Sequence, residues 1–124
     1  MITWTSEELK KIGAAEELQI ASLRGDGTLR KPVTIWVVRL GDDLYVRSVN
    51  GRTSAWFRGT QVRHEGHIRA GGVDKDVTFV EADPGINDLI DAAYRAKHQG
   101  YPSSVDHINS TTALTATIKL MPRL

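Results

Sequence analysis

Residues 22–32 read SLRGDGTLRKP and set Arg24, Arg30 and Lys31, with the hydroxyl of Thr28, around a Gly-Asp-Gly turn. Glycines let successive backbone N–H groups point at one spot, and such nests bind anions. An arginine fork matches a phosphate bidentately and a lysine supplies a point charge, so the loop has the parts of a phosphate seat. Its spacing fits neither the Walker loop nor G-x-G-x-x-G. The alternative reading is a solvated loop between two strands. A second stretch, LYVRSVNGRTSAWFRG, runs a strand through Ser48 and Asn50-Gly51 into a helix with Trp56, Phe57 and Arg58. An aromatic pair beside a strand edge can wall a flat ring, and helix N-terminal amides at Thr53, Ser54 and Ala55 favour an anion. Against this stands burial of Trp56 and Phe57 in the core, the commoner fate of such side chains.

The histidines are a third candidate. His64 and His67 face opposite sides if they lie on a strand, so they would not chelate one ion together. A cysteine-free site would need Glu65 or Asp106 to complete a shell, and no metal site is expected. His64, His67 and His107 stay available as surface or general-acid groups. Tyr94, Arg95 and His98 share one helical stretch that reads as a docking surface.

These residues need elements to hold them. Thr5 followed by Glu8 has capping-box spacing ahead of a helix, and Trp4 with Leu9 suits a hydrophobic staple. LQIASL reads as a strand. PVTIWVVRL, apolar on both faces, reads as a central, buried strand paired on both sides. GDD turns the chain into LYVRSV, with Leu44, Val46 and Ser48 on one side and Tyr45, Arg47 and Val49 on the other. A short helix is expected after Asn50-Gly51. HIRA, Gly71-Gly72 and DVTFVEA read as a hairpin. Asp83-Pro84 starts a helix with Ile86, Leu89, Ile90 and Ala93 at helical spacing, which Gly100 stops. YPSSVDHINS is a loop or a short helical turn, and TALTATIKL a last strand. Six short strands in mostly hairpin order, α-β-β-β-α-β-β-α-β, predict an antiparallel sheet curled into a small barrel.

Composition narrows the function. With 124 residues the chain is expected to form a single domain over 1–124. No run approaches the 18–20 apolar residues, roughly, of a membrane helix, and MITWTSEELKK does not read as a signal peptide. The lack of cysteine excludes disulfides and thiolate catalysis and suits a reducing cytoplasm. A net charge of +1 argues against a nucleic-acid partner. Residues 24–69 nonetheless hold nine Lys/Arg against four Asp/Glu, so the positive charge is concentrated where an anion site would want it.

The glycine loop with its arginines, then PVTIWVV, GDDLYVRSVNG, WFR and the later Gly71-Gly72, together resemble the split-barrel flavin-binding proteins. The deazaflavin-dependent nitroreductases are nearest, the pyridoxamine-phosphate oxidase type is more distant, and the whole chain looks like a family of short bacterial proteins of unknown function in that superfamily. The similarity is most specific over residues 22–72. It implies a six-stranded antiparallel split β-barrel with flanking helices, commonly a homodimer with the cofactor site between two chains. It also implies that Arg24, Thr28, Arg30 and Lys31 seat a cofactor phosphate, and that Tyr45, Arg47, Ser48, Trp56 and Arg58 line the ring or tail. The cofactor would be a deazaflavin coenzyme or FMN, and the protein an oxidoreductase passing hydride to a small organic substrate. Arg47 and Arg58 would then stabilise negative charge on a reduced ring. Two other readings stand beside it: a non-catalytic small-molecule binder on the same barrel, and cofactor-free proton transfer by His64, His67 or His107.

Overall fold

The computed structural model describes residues 3–123. It opens with α1 (Ser6–Ala14), for which Thr5 and Glu8 form the expected capping box: Thr5 Oγ1 accepts from the Glu8 amide and Glu8 accepts from the Thr5 amide. Trp4 and Leu9 are both buried in the main core, and the Trp4 indole donates to Leu120 O across the molecule at 3.0 Å. The strands are β1 (Glu17–Ser22), β2 (Val33–Trp36), β3 (Val38–Leu40), β4 (Asp43–Arg47), β5 (Glu65–Ala70), β6 (Val73–Glu81) and β7 (Thr117–Pro122). Helix α2 (Ala55–Arg63) follows β4; α3 (Asn87–Lys97), α4 (Pro102–Ile108) and α5 (Thr111–Leu114) lie between β6 and β7. None of the described helices is long and apolar enough to cross a membrane.

The seven strands of the described residues join one antiparallel sheet in the order β2-β1-β5-β6-β7-β4-β3. The two end strands are consecutive in the chain, separated by Val37 alone, so the sheet curls until its ends nearly meet. That is a split barrel. There are seven strands instead of six because the apolar run 32–40 breaks at Val37: β2 pairs with β1, and β3 with β4. The expectation of a central strand paired on both sides is therefore corrected. One continuous segment serves both edges of the sheet, and it must bend between them. Its apolar residues are not all covered either, since Val33 and Thr34 are exposed and Ile35 and Trp36 half-buried, while Val37 and Val38 are buried.

Inside the barrel Leu18, Ile20, Leu44, Val46, Ile68, Val77, Phe79, Ile118 and Leu120 form a single core with Leu9 and Ile12 of α1. A second cluster, Val38, Tyr45, Ile90, Tyr94 and Ile108, fixes α3 and α4 onto β3 and β4. Both faces of β4 are thus covered, which is why its alternation of apolar and polar residues is incomplete. Residues 112–114, expected at the head of the last strand, instead form α5, because Ser110 caps it by accepting from the Ala113 amide; the strand starts at Thr117.

His64 is not on a strand. It ends α2 in the left-handed conformation, φ 58°, where a side chain is strained and glycine is the usual occupant. Replacing this exposed histidine by glycine is expected to raise stability by about 0.5–1 kcal/mol, the relief outweighing glycine's larger unfolded-state entropy. Urea melts of parent and His64→Gly check it, and a loss of stability would contradict the cap.

Candidate functional site

The loop between β1 and β2 is wired internally. Asp26 Oδ1 accepts from the Thr28 amide at 3.0 Å and from its hydroxyl at 2.7 Å, across Gly27 at φ 89°. These bonds, with the Arg24 charge adding, hold the Asp26 carboxyl below the usual carboxylate range. Arg24 donates one Nη1 to Thr28 Oγ1 and to Leu29 O. The acid in the middle of the cationic loop therefore organises the turn, and Thr28 spends its hydroxyl there; it lines no cavity described below.

Three of the four loop residues do converge. Arg24, Arg30 and Lys31 line a cavity of about 210 Å³ between Ser22 of β1 and Ala55, Trp56 and Thr60 of α2. None of these three cations forms an ion pair among the described residues. Arg30 is half-buried, and its Nε is buried with no hydrogen-bond partner among the described residues. A buried donor without an acceptor is costly and calls for an explanation.

Gly59 of α2 is what lets Arg30 lie there. A Cβ at position 59 would sit 2.4 Å from Ser22 Oγ and 3.1 Å from Cδ and Nε of Arg30. Glycine in a helix interior costs about 1 kcal/mol relative to alanine, so close approach is its evident reason. Gly59→Ala is expected to push Arg30 and the Ser22 hydroxyl aside and weaken binding of phosphate-bearing ligands roughly tenfold, the worth of one charge-assisted hydrogen bond. Titration of FMN into the variant reads this directly, and unchanged affinity would show that the cradle plays no part.

A second cavity, about 460 Å³, lies next to the first, and Val33 and Trp56 line both. Its walls are apolar and aromatic, with Ile35 and Trp36 of β2 and Ile108 of α4 joining Val33 and Trp56. A few polar groups interrupt them: Glu17, Ser48, Asn50, Ser54 and Ser104. Ser48 Oγ and Ser54 Oγ share a 2.7 Å hydrogen bond, and Ser54 caps α2 by accepting from the Phe57 amide. The positive end of α2 thus opens at the junction of the two cavities. Trp56 is held edge-on against Phe57, ring centroids 6.1 Å apart. An apolar slot with a few fixed polar groups beside a cationic pocket suits a flat ring bearing an anionic tail.

The remaining ring candidates lie elsewhere or are occupied. Tyr45 is buried in the cluster beneath α3 and α4 and lines neither cavity; burial holds its hydroxyl above the usual phenol range. Arg58 is exposed on α2 and also lines neither. Arg47 borders the second cavity, but its guanidinium is fully buried and engaged. Nε donates to Thr117 Oγ1, Nη1 to Asp91 Oδ1 and Asn109 Oδ1, and Nη2 to the carbonyl and side-chain oxygens of Asn87. No N–H is left over to meet charge on a bound ring.

His64 and His107 are exposed and His67 lies between Asp74 and Asp76 on the β5–β6 hairpin, so the three share no cavity wall with the ring slot. Burial works to lower the His67 pKa, but the hydrogen bonds that its ring N–H groups donate to Asp76 and Asp74 win and hold it above the usual range. Among the described residues no group of three or more His, Asp and Glu is arranged to hold a metal ion.

Sequence reasoning missed Ser22, Val33, Trp36, Gly59 and Thr60. Val33 and Trp36 carried a signal, the apolar run too hydrophobic for an exposed strand; Ser22, Gly59 and Thr60 carried none.

Solved structures with the same fold span nearly the whole chain. The heme storage protein HutZ from Vibrio cholerae matches with a TM-score of 0.62 at 15% identity, over 96% of this chain and 90% of its own. A FAD-binding protein from Mesorhizobium loti matches with a TM-score of 0.63 at 14% identity, over 99% and 93%. An F420-H2 dependent reductase matches with a TM-score of 0.60 at 13% identity, over 85% and 93%. At such identities the likeness establishes the split barrel and nothing finer. No curated protein matches the chain. Residues 8–120 match the model of a family described as an uncharacterized protein conserved in bacteria (DUF2255).

Proposed function

The chain belongs to DUF2255, a family of uncharacterised bacterial proteins, and we propose that it binds a flavin-type cofactor with a phosphate-bearing tail and serves as an oxidoreductase. The observation that carries this reading is the shared wall at Val33 and Trp56, which joins a pocket of three cations, unpaired among the described residues, to an aromatic slot. The unpartnered Nε of Arg30 and the cradle over Gly59 fit a phosphate oxygen. Neighbours of the same fold named for FAD, F420-H2 and heme lend the reading support.

In this proposal Arg24, Arg30 and Lys31 hold the phosphate and the α2 N-terminus adds its partial positive charge. Trp56, Trp36 and Ile35 grip the ring and keep water from its faces, while Ser48, Asn50 and Ser54 orient its polar edge. Bound FMN or deazaflavin coenzyme would supply hydride transfer, which the polypeptide cannot. The exposed Val33 and Val49 beside the slot are where a second copy would close it, the two-chain site that the resemblance implies.

A second reading, binding without turnover, rests on one observation. Glu17 is the sole carboxylate or imidazole on the two cavity walls among the described residues, so proton exchange with a substrate has few agents. Titration of FMN, and separately of the deazaflavin coenzyme, into purified protein tests the proposal by fluorescence quenching. Saturable binding of either supports it; binding of neither at high micromolar protein overturns it. Reoxidation of the bound, reduced cofactor by a nitroaromatic acceptor separates the enzyme from the binder.

A further inference from the structure

Trp36 forms part of the ring slot, and the imidazole of His98 lies flat against its indole, centroids 3.7 Å apart and planes 4° apart. His98 follows the last turn of α3, is 2% exposed, and its Nε2 is buried without a hydrogen-bond partner among the described residues. Tyr94, one turn earlier, packs on the same pair, with centroids 6.5 Å from Trp36 and 6.3 Å from His98, and its hydroxyl is also buried and unpartnered. Lys97 donates Nζ to Val37 O at 2.6 Å. The end of α3 therefore grips the strand break and the residue before it, Val37 by a hydrogen bond and Trp36 by stacking. A leucine at position 98 would fill the space without burying a lone imidazole nitrogen, so the choice of histidine wants a reason.

We propose that His98 is a positioning residue for the ring slot: its neutral imidazole sets the plane of Trp36, and protonation of His98 breaks the stack and weakens ring binding. The ring-binding half rests on the cofactor reading above; the stack does not.

The groups facing His98 decide its charge. On α3 these are Lys97, whose ammonium repels a second cation, and Tyr94, over which the Arg47 guanidinium lies 5.7 Å from the ring centroid. Glu16, just before β1, favours the charged form, and Glu17 pairs across from Trp36 on β1. Tyr101 approaches Trp36 from beyond α3, ring centroids 6.0 Å apart. Burial first and Lys97 second hold His98 below the usual imidazole range despite Glu16. A cation over an indole face is attracted to it, but that attraction is smaller than the cost of burying a charge with an N–H left unmet. Imidazolium therefore forms by leaving the stack for solvent.

Riboflavin is the probe, because it lacks the phosphate whose own ionisation would overlay the titration. The indole N–H resonance of Trp36, assigned with Trp36→Phe, is followed against pH in ligand-free protein. It is expected to titrate with a midpoint below about 6.5, the ordinary imidazole value, and riboflavin affinity is expected to fall with it. His98→Phe, which keeps a stacking ring but cannot take a proton, is expected to flatten the indole titration and retain riboflavin affinity in acid. His98→Ala is expected to weaken riboflavin roughly three- to tenfold near neutral pH, the scale of one aromatic pair, with inorganic phosphate binding unchanged. An indole resonance indifferent to pH in the parent, or titrating equally in His98→Phe, overturns the proposal. A parent that binds no riboflavin or FMN at any pH while its Trp36 resonance titrates, and loses that titration in His98→Phe, sinks the cofactor reading but upholds the stack.

Discussion

Replacing Arg47 by alanine is expected to lower the stability of the protein by about 3–5 kcal/mol, the cost of breaking a buried ion pair by removing one partner. In a domain of this size that displaces the thermal midpoint by roughly 10 °C or more. Arg47 has no exposed side-chain surface and donates from every N–H to groups on three separate segments: Thr117 of β7, Asp91 and Asn87 of α3, and Asn109 after α4. Removing it strands Asp91, only 21% exposed, together with the Asn87 and Thr117 oxygens, in a space the surrounding helices cannot fill. Arg47→Met keeps most of the volume and is expected to remain strongly destabilised, because the acceptors are still orphaned. Adding Asp91→Leu to it is expected to recover part of the loss, since an apolar pair of similar volume escapes the desolvation cost. Urea melts decide the matter: a stable Arg47→Met single variant would show that the network does not hold α3 and α4 to the barrel. The same result would reopen a role for Arg47 at the ring.

Replacing Arg30 and Lys31 together by alanine is expected to weaken FMN binding by about 3–6 kcal/mol, since each charge-assisted bond is worth roughly 1.5–3. Every 1.4 kcal/mol, roughly, is a factor of ten in affinity, so the loss is two to four orders of magnitude. The fold should hardly notice. Lys31 is exposed, and the Nε of Arg30 has no partner to lose. Riboflavin is the control, expected to bind parent and double variant alike, because the ring slot keeps Trp36 and Trp56. Added salt should weaken FMN in the parent more than in the variant, the anion being partly screened. Isothermal titration of both ligands into both proteins makes the test, and equal FMN affinity would return the loop cations to ordinary surface charge.

What the sequence determined by itself is what lies within a few residues of itself. The Thr5–Glu8 capping box, the Gly71-Gly72 hairpin turn, the Asp83-Pro84 turn ahead of α3 and the barrel class all rest on bonds or periodicities spanning two to four positions, and each is where those signals put it. The cation loop was legible for the same reason, as a run of residue types that needs no distant partner to be noticed.

Tertiary structure decided the rest. The apolar run 32–40 looked like one central strand because hydropathy reports that a segment is apolar, not how many neighbours it pairs with; barrel closure bends it at Val37 and gives each half one partner. Arg47 and Tyr45 sit on β4 and Ser48 directly follows it, and the three were read as one lining. Only the packing of α3 and α4 turned the first two into a buried anchor and a core residue while leaving Ser48 on the cavity wall. Ser22, Gly59 and Thr60 became site residues when β1 and α2, more than thirty positions apart, came within van der Waals distance. Such contacts are set by how a closed sheet seats its helices, and no local pattern of side chains encodes them.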